Sequence, residues 1–374
     1  MWRGALILSG CMLLAPHPQA SQTPMANDRK IAALLEPIRA KRHLPALGAA
    51  IVTSAGLQTL AVTGVRKAAT DVAAMPDDLW HLGSDTKAMT AVVIAKLVEQ
   101  GKLTWDTTIE AVAPKVVANA KPAFAGITLQ QLLAHRAGLV ANLDWPKIAR
   151  TPGSPREQRI EALRIAASTK LSSTPGTKYE YSNLGYVIAA TMAEEAADRA
   201  WEDMIRSVVF RPLGITSAGF GGIGTPGQID QPWPHLENRR PAPENGPDED
   251  NPAVMGPAGT VHMSLADWAK FAADQLRGLR GQSGALLKPA TYAVMHTPPF
   301  GGDYFCGWLV TDRPWAGGPA YTHAGSNTMN YAVIWVAPRK DFAVLAVTNQ
   351  GGTDAATGTD EAAAALIGYA GLLK

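Results

Sequence analysis

Residues 83–98, GSDTKAMTAVVIAKLV, decide the fold of this chain, because a serine and a lysine stand there at the start of an apolar run. The run predicts a buried helix that ends at Gly101. Residues three apart share a helix face, so the Ser84 hydroxyl and the Lys87 ammonium would lie side by side near the first turn. A lysine whose pKa is lowered by desolvation and by the helix N-terminus can help to activate a serine nucleophile. The pair alone is a weak signal, since average composition produces about one such pair by chance in a chain of this length.

The bulk composition narrows the class of protein. The chain has 374 residues, of which 47% are hydrophobic and 18% charged, and this fits one large globular unit or two joined subdomains. The formal net charge is +2 and no block of like charge occurs, which disfavours a nucleic-acid-binding surface. The sequence contains no cysteine cluster, no His-Glu-x-x-His motif and no phosphate-binding glycine loop. We therefore predict no metal site and no cofactor.

The first 20 residues are typical of an export signal, because one positive charge precedes an apolar stretch from Ala5 to Ala15 that is too short to span a bilayer. Cleavage near Ala20 is one interpretation. The other is a lipoprotein cleavage box at residues 8–11, LSGC, which would leave Cys11 lipid-anchored. Either way we expect a periplasmic or secreted protein with no membrane span. Cys306 then has no disulfide partner and is expected to be a small buried apolar residue.

Strand patterns occur at both ends of the chain and helical patterns between them. The predicted elements at the ends are a helix at 28–42, strands at 46–53, 57–64, 305–310, 331–337 and 342–348, and a closing helix at 361–373. This predicts an α/β (α+β) domain over 26–374, with one antiparallel sheet built from both chain ends (about 28–85 and 287–374) and flanked by helices. A large, mostly helical region at about 86–286 is inserted. Its glycine- and proline-rich loop at 221–259 is either a pocket wall or a surface excursion.

Two further motifs occur far along the chain, Tyr181-Ser182-Asn183 and His323-Ala324-Gly325-Ser326. A tyrosine beside a cationic lysine has its phenolate favoured, so Tyr181 would take the proton of the serine. Asn183 offers a donor and an acceptor for an amide substrate. Gly325 would let the substrate backbone approach closely, and the N–H of Ser326 would face an oxyanion together with the N–H of Ser84.

Together the three motifs resemble the serine β-lactamases and penicillin-binding proteins, in the branch that contains class C β-lactamases, D-alanyl-D-alanine carboxypeptidases and related carboxylesterases. The resemblance runs from about residue 28 to 350 and includes the flanking segments 129–139, LQQLLAHRAGL, and 175–183, PGTKYEYSN. It implies a β-lactamase/transpeptidase-like fold. It also implies that Ser84 is the acylated nucleophile, that Lys87 assists its deprotonation, that Tyr181 is the base and that Asn183 contacts the substrate amide.

The third motif departs from the family, because His323 stands where the family has a lysine. That lysine supplies positive charge near a substrate carboxylate, and a neutral histidine supplies little of it at pH 7. The change weakens a β-lactamase interpretation more than a hydrolase one. Purely structural roles compete at several positions: Ser84 and Asn183 as helix caps, and Tyr181 as a core residue. His81 and His135, which lie near the motifs, are interpreted as structural.

The sequence therefore predicts a serine hydrolase that acts through an acyl-enzyme on an ester or amide. A carboxylesterase or a D-amino-acid peptidase resembling the D-alanyl-D-alanine carboxypeptidases is favoured, and a class C-like β-lactamase is the alternative. A non-catalytic penicillin-binding or sensor domain is an alternative of another class. The expected partner is a small-molecule or peptide substrate, bound by Asn183, His323 and Gly325.

Overall fold

A seven-stranded antiparallel sheet lies at the centre of the fold in the computed structural model, which describes residues 27–373. The strands of the described part are, in chain order, β1 (Ala46–Thr53), β2 (Gly56–Gly64), β3 (Leu79–His81), β4 (Gly219–Phe220), β5 (His235–Leu236), β6 (Arg240–Pro241), β7 (Val261–Ser264), β8 (Tyr304–Phe305), β9 (Trp308–Arg313), β10 (Gly318–Ser326), β11 (Tyr331–Ala337) and β12 (Phe342–Thr348). The large sheet has the order β2-β1-β12-β11-β10-β9-β8. The first strand thus pairs with the last, with Leu47 opposite Thr348, which confirms a sheet built from both chain ends.

Helices cover both faces of this sheet and fill the region between its two halves. The α-helices of residues 27–373 are α1 (Arg29–Lys41), α2 (Thr86–Glu99), α3 (Ile109–Val112), α4 (Pro122–Ala125), α5 (Leu129–Leu133), α6 (Trp145–Ala149), α7 (Pro155–Ser168), α8 (Asn183–Ala197), α9 (Trp201–Ile205), α10 (Gly256–Gly259), α11 (Leu265–Leu279), α12 (Pro289–Met295) and α13 (Thr353–Tyr369). None of them is long and apolar enough to cross a membrane. The predicted export signal and Cys11 lie outside the described residues.

Strand β1 is buried along almost its whole length because the sheet is covered on both sides. Leu47 and Ala49 belong to an apolar cluster with α1 and α13. Ala50 and Val52 belong to the larger cluster that includes α2, α8 and α11. The sheet is therefore the middle layer between a pair of terminal helices and the helical region.

Helix α2 is buried on nearly all faces, as its apolar sequence predicts. Gly101, just beyond its end, has a left-handed backbone (φ +70°), which is the conformation expected of a glycine that terminates a helix. A single turn of 3-10 helix, Gly83–Asp85, comes directly before α2. That turn places Ser84 at the N-terminal end of a rigid, buried element.

Strand β10, which carries His323 and Gly325, is not among the strands that the sequence pattern predicts, and two further elements differ in their bounds. The strand expected at 305–310 is divided into β8 and β9, because Cys306 and Gly307 adopt left-handed backbone conformations (φ 51° and 83°) at a tight turn. A side chain at Gly307 would overlap α2, with its Cβ only 2.6 Å from the Cα of Ala88. Helix α13 begins earlier than predicted, because its first turns pack through small residues such as Ala355 that show no large apolar period.

Candidate active site

The structure brings Ser84, Lys87 and Tyr181 together at the N-terminal end of α2. The Oγ of Ser84 lies 3.0 Å from the Nζ of Lys87 and 2.9 Å from the hydroxyl oxygen of Tyr181. Ser84 lies in the 3-10 turn and Lys87 in the first turn of α2, whereas Tyr181 comes from the segment just before α8. The hydroxyl of Ser84 thus has a candidate base and a second hydroxyl within hydrogen-bonding distance.

Lys87 is fully buried, and this burial lowers the pKa of its ammonium to about 7, with a smaller opposing effect from Asp85. Its Nζ lies 2.8 Å from the Oδ1 of Asn183 and 2.6 Å from the carbonyl oxygen of Ala258. Both of these oxygens can only accept hydrogen bonds. When the amine is neutral, these oxygens take its two N–H groups and leave its lone pair for Ser84. Lys87 is therefore able to accept the proton of Ser84.

The orientation of the Asn183 amide is determined outside the motif. The indole Nε1 of Trp145, which can only donate, donates to the Oδ1 of Asn142 at 3.0 Å. The Nδ2 of Asn183 donates to the same oxygen at 2.9 Å, and the Oδ1 of Asn183 therefore points toward Lys87. One hydrogen on Nδ2 remains for a substrate. Asn142 and Trp145 were missed by the sequence prediction, and no local pattern marks them.

Burial raises the pKa of the Tyr181 hydroxyl, and the hydrogen bond with Ser84 offsets only part of this effect. The phenol is therefore neutral, and it donates its O–H to the Oγ of Ser84. This differs from the phenolate expected from the sequence. The physical reason is the desolvation of the phenol itself, which disfavours its charged form.

The backbone of β10 lies against the turn that carries Ser84. A Cβ added to Gly83, which has φ +50°, would overlap the backbone nitrogen of Ser326. A Cβ added to Gly325 would overlap the carbonyl oxygen of Leu82 and lie 2.7 Å from the backbone nitrogen of Ser84. The two glycines therefore allow the backbones of the two segments to touch, and these segments carry the two N–H groups predicted to bind an oxyanion.

His323 is buried beside this contact, and its Nε2 lies 3.0 Å from the hydroxyl oxygen of Tyr304. Its Nδ1 lies 3.3 Å from the Oδ1 of Asp85. Burial, reinforced by the nearby Lys87, lowers the pKa of the imidazole to about 3. Burial also raises the pKa of the Asp85 carboxyl well above its ordinary value. His323 therefore carries no positive charge near neutral pH.

The two histidines interpreted as structural each hold the backbone of a motif. The Nδ1 of His135 accepts a hydrogen bond from the Ser182 N–H at 3.1 Å, and its ring lies 4.3 Å from that of Tyr181. The Nδ1 of His81 accepts from the Gly83 N–H at 3.1 Å. Both hydrogen bonds position the backbone of a motif, in agreement with the structural role that the sequence analysis gives these histidines.

Two pockets lie next to these residues. The first has a volume of about 440 Å³, and many of its lining side chains are aromatic, including Tyr181 and Tyr331. Of the described residues that line it, Asp360 is the one with an acidic or strongly basic side chain. The second has a volume of about 830 Å³, is more polar, and includes Ser326 and Arg240. Within residues 27–373, no group of His, Cys, Asp and Glu is arranged as a metal site. Cys306 is a free, buried cysteine.

Comparison with known proteins gives a match over most of the chain. A family model described as Beta-lactamase matches residues 31–369. The chain is 27% identical to Penicillin-binding protein 4 of Amycolatopsis lactamdurans over 329 residues, which cover 84% of this chain and 83% of that protein. It is 26% identical to the unguisins hydrolase ungD' of Aspergillus campestris over 276 residues, which cover 72% of this chain and 50% of that protein.

Solved structures show the same fold. The octameric penicillin-binding protein homologue from Pyrococcus abyssi superposes with a TM-score of 0.71 at 22% sequence identity, and the match covers 91% of this chain and 77% of that chain. This likeness extends over both the sheet and the inserted helical region.

Proposed function

The chain belongs to the beta-lactamase family, a family of serine hydrolases, and we propose that it hydrolyses an ester or amide through an acyl-enzyme on Ser84. The observation that carries the proposal is the position of the Ser84 hydroxyl between Lys87 and Tyr181. A serine needs such an adjacent base to become a nucleophile. The names of the curated relatives, a hydrolase and a penicillin-binding protein, are consistent with this chemistry.

In the acylation step, neutral Lys87 accepts the proton of Ser84 while the Oγ bonds to the carbonyl carbon. The electron pair of the carbonyl moves to its oxygen, which the N–H groups of Ser84 and Ser326 stabilise. When this intermediate collapses, the leaving group takes a proton from the hydroxyl of Tyr181. The ammonium of Lys87 then restores the proton of Tyr181, so the two residues end the step in their starting states.

Deacylation repeats the same sequence with water as the nucleophile. A water molecule gives its proton to the neutral Lys87 as its oxygen bonds to the acyl carbon. The oxygen of Ser84 is now the leaving group, and it regains a proton from the neighbouring Tyr181. The ammonium of Lys87 then returns its proton to Tyr181, so the products are a free carboxylic acid and the original enzyme.

The charges around the cleft favour an ester, or an amide with no carboxylate beside the reacting bond. His323 is neutral, and Asp360 gives the aromatic pocket a negative charge. A D-amino-acid peptide that ends in a carboxylate would have to direct it toward Arg240, in the second pocket, which Glu237 also lines. We therefore rank a carboxylesterase first, a D-amino-acid peptidase second and a β-lactamase third.

A rate comparison tests this proposal. The purified protein is given a p-nitrophenyl ester, a D-alanyl-D-alanine peptide and a cephalosporin, and we expect the ester to be hydrolysed fastest. Ser84→Ala should lower every rate by about 10⁴-fold or more. Undiminished ester hydrolysis by Ser84→Ala would refute the acyl-enzyme.

The alternative of a non-catalytic sensor has its own outcome. Intact-mass measurement after exposure to penicillin detects an acyl group on the protein. A persistent adduct without turnover of any substrate would favour a sensor, whereas no adduct and no turnover would favour a binding domain. We expect turnover of the ester, with an adduct that Ser84→Ala does not form.

A further inference from the structure

The side chain of Asp250, in the loop at 221–259, is almost completely buried and lies behind the active site. One carboxylate oxygen of Asp250, Oδ2, lies 2.8 Å from the Nε2 of His81. The other, Oδ1, accepts a hydrogen bond of 2.8 Å from the Nδ2 of Asn327. Asp250 therefore connects two segments that are far apart in the sequence.

The direction of every hydrogen bond in this group is determined by the backbone. The Nδ1 of His81 accepts from the Gly83 N–H, so its Nε2 carries the proton and donates to Asp250. The Oδ1 of Asn327 accepts from the Met329 N–H at 3.2 Å and from the Nδ2 of Asn330 at 3.2 Å, so its own Nδ2 faces Asp250. Asp250 thus meets a donor on each side, which is what an ionised carboxylate requires.

The two segments that Asp250 connects carry the oxyanion N–H groups. His81 holds the N–H of Gly83, the residue before Ser84, and Asn327 directly follows Ser326. At this point the two backbones are in contact through Gly83. A substitution of Asp250 would therefore change the relative positions of the N–H groups of Ser84 and Ser326.

We propose that Asp250 is a positioning residue for the oxyanion site. It touches neither Ser84 nor the cleft, and it acts by holding His81 and Asn327. Stabilisation of an oxyanion depends on donors that are already in place before the reaction, within about 2.7–3.1 Å of the developing charge. The proposal rests on the proposed acyl-enzyme and gives the loop at 221–259 a role in catalysis.

The first test is Asp250→Asn, which preserves the size of the side chain. Its amide oxygen can still accept from His81, but its NH₂ group then faces the NH₂ group of Asn327. We expect kcat for the p-nitrophenyl ester to fall by about 10- to 100-fold with little change in KM, since a misplaced donor weakens the transition state more than the substrate complex. The matched control is Asp248→Asn, an exposed position on the same loop, which should keep the original kcat.

The decisive test exchanges the two partners. In the double variant Asp250→Asn/Asn327→Asp, the asparagine accepts from His81 and donates to the new carboxylate, which still accepts from the Met329 N–H. Every donor has an acceptor again, so we expect kcat to recover by at least about fivefold relative to Asp250→Asn. Asn327→Asp alone places two carboxylates face to face and should be impaired.

Two measurements separate positioning from a loss of folded protein and from a wrong mechanism. Active sites are counted with a fluorophosphonate that labels Ser84, and kcat is expressed per labelled site. An unchanged kcat per site in Asp250→Asn, or a double variant no better than the single one, would overturn the proposal. If Ser84→Ala keeps the activity, the acyl-enzyme itself is wrong, and this result does not depend on Asp250.

Discussion

One wall of the cleft contributes side chains to the site, and the other contributes mainly backbone. The helical wall, formed by Lys87, Tyr181 and Asn183, presents side chains that are hydrogen-bonded to Ser84 or to one another. The sheet wall, formed by residues 323–326 of β10, presents backbone, because Gly325 lies against the Ser84 turn. The one large side chain of the sheet wall, His323, is buried and neutral.

In the proposed mechanism, this difference separates proton transfer from charge stabilisation. The helical wall contains the group whose pKa is shifted to the working range, and so it controls whether Ser84 can be deprotonated. The sheet wall offers N–H dipoles at a defined distance, and so it controls how well the resulting oxyanion is held. A change on either wall should therefore leave a distinct kinetic signature.

The largest effect is expected from the helical wall. Lys87→Met keeps the length of the buried side chain but removes the base, and kcat/KM for the p-nitrophenyl ester should fall by about 10³-fold or more. Lys96→Met is the matched control: Lys96 lies on the same helix, but its Nζ bonds the carbonyl oxygen of Leu286. A loss below tenfold in Lys87→Met would show that another group deprotonates Ser84.

A smaller effect is expected from the sheet wall. Gly325→Ala adds a methyl group that overlaps the carbonyl oxygen of Leu82, so it separates the backbones of the two N–H groups. We expect kcat to fall by roughly 10²-fold, comparable to the loss of one oxyanion donor, with a lower melting temperature. Gly368→Ala in α13, where the added methyl meets only a side-chain atom at 3.4 Å, is the control and should be fully active.

The pH dependence of kcat/KM should show whether the titrating group lies on the helical wall or on the sheet wall. Below about pH 7 the ammonium form of Lys87 has no lone pair, so kcat/KM should fall about tenfold per pH unit as the pH decreases, and it should level off above that value. His323 is already neutral over this range, because burial holds its pKa near 3. The midpoint should therefore be retained in His323→Asn. A midpoint that disappears in this variant would assign the titration to the sheet wall.

The same contrast explains what the sequence predicts and what it does not. The helical wall depends on side chains at short spacing, Ser84 with Lys87 and Tyr181 with Asn183, so the pattern identifies them together. The strand patterns at the two chain ends also predict one antiparallel sheet built from both ends, but not the order of its strands. The lowered pKa of Lys87 is expected from its apolar helix, whereas the neutral state of Tyr181 is not, because it depends on burial by residues distant in sequence.

The supporting residues are the least predictable part of the site. Asp250 lies in a segment without periodic structure, and its contact with His81 spans 169 residues of sequence. Its role arises from two hydrogen bonds that only the folded chain forms. Trp145 is similar, since its contribution is the orientation of an amide in another residue. In both cases the residue acts on the cleft through an intermediate side chain.

The smallest predicted effect tests this indirect action on the helical wall. Trp145→Phe keeps an aromatic ring but removes the Nε1–H that holds the Oδ1 of Asn142. The Asn183 amide can then rotate and direct its NH₂ group at Lys87, which turns the lone pair of the amine away from Ser84. Loss of one hydrogen bond worth about 1 kcal/mol predicts a fall in kcat of roughly fivefold.

The control for this variant is Trp268→Phe, a similarly buried tryptophan on α11. Both substitutions leave space in the core, so both should lower the melting temperature. Only Trp145→Phe should lower kcat per labelled active site. Equal kcat values in the two variants would mean that the Asn183 amide holds its orientation through Lys87 and Asn142 alone, and that the helical wall is complete without the indole.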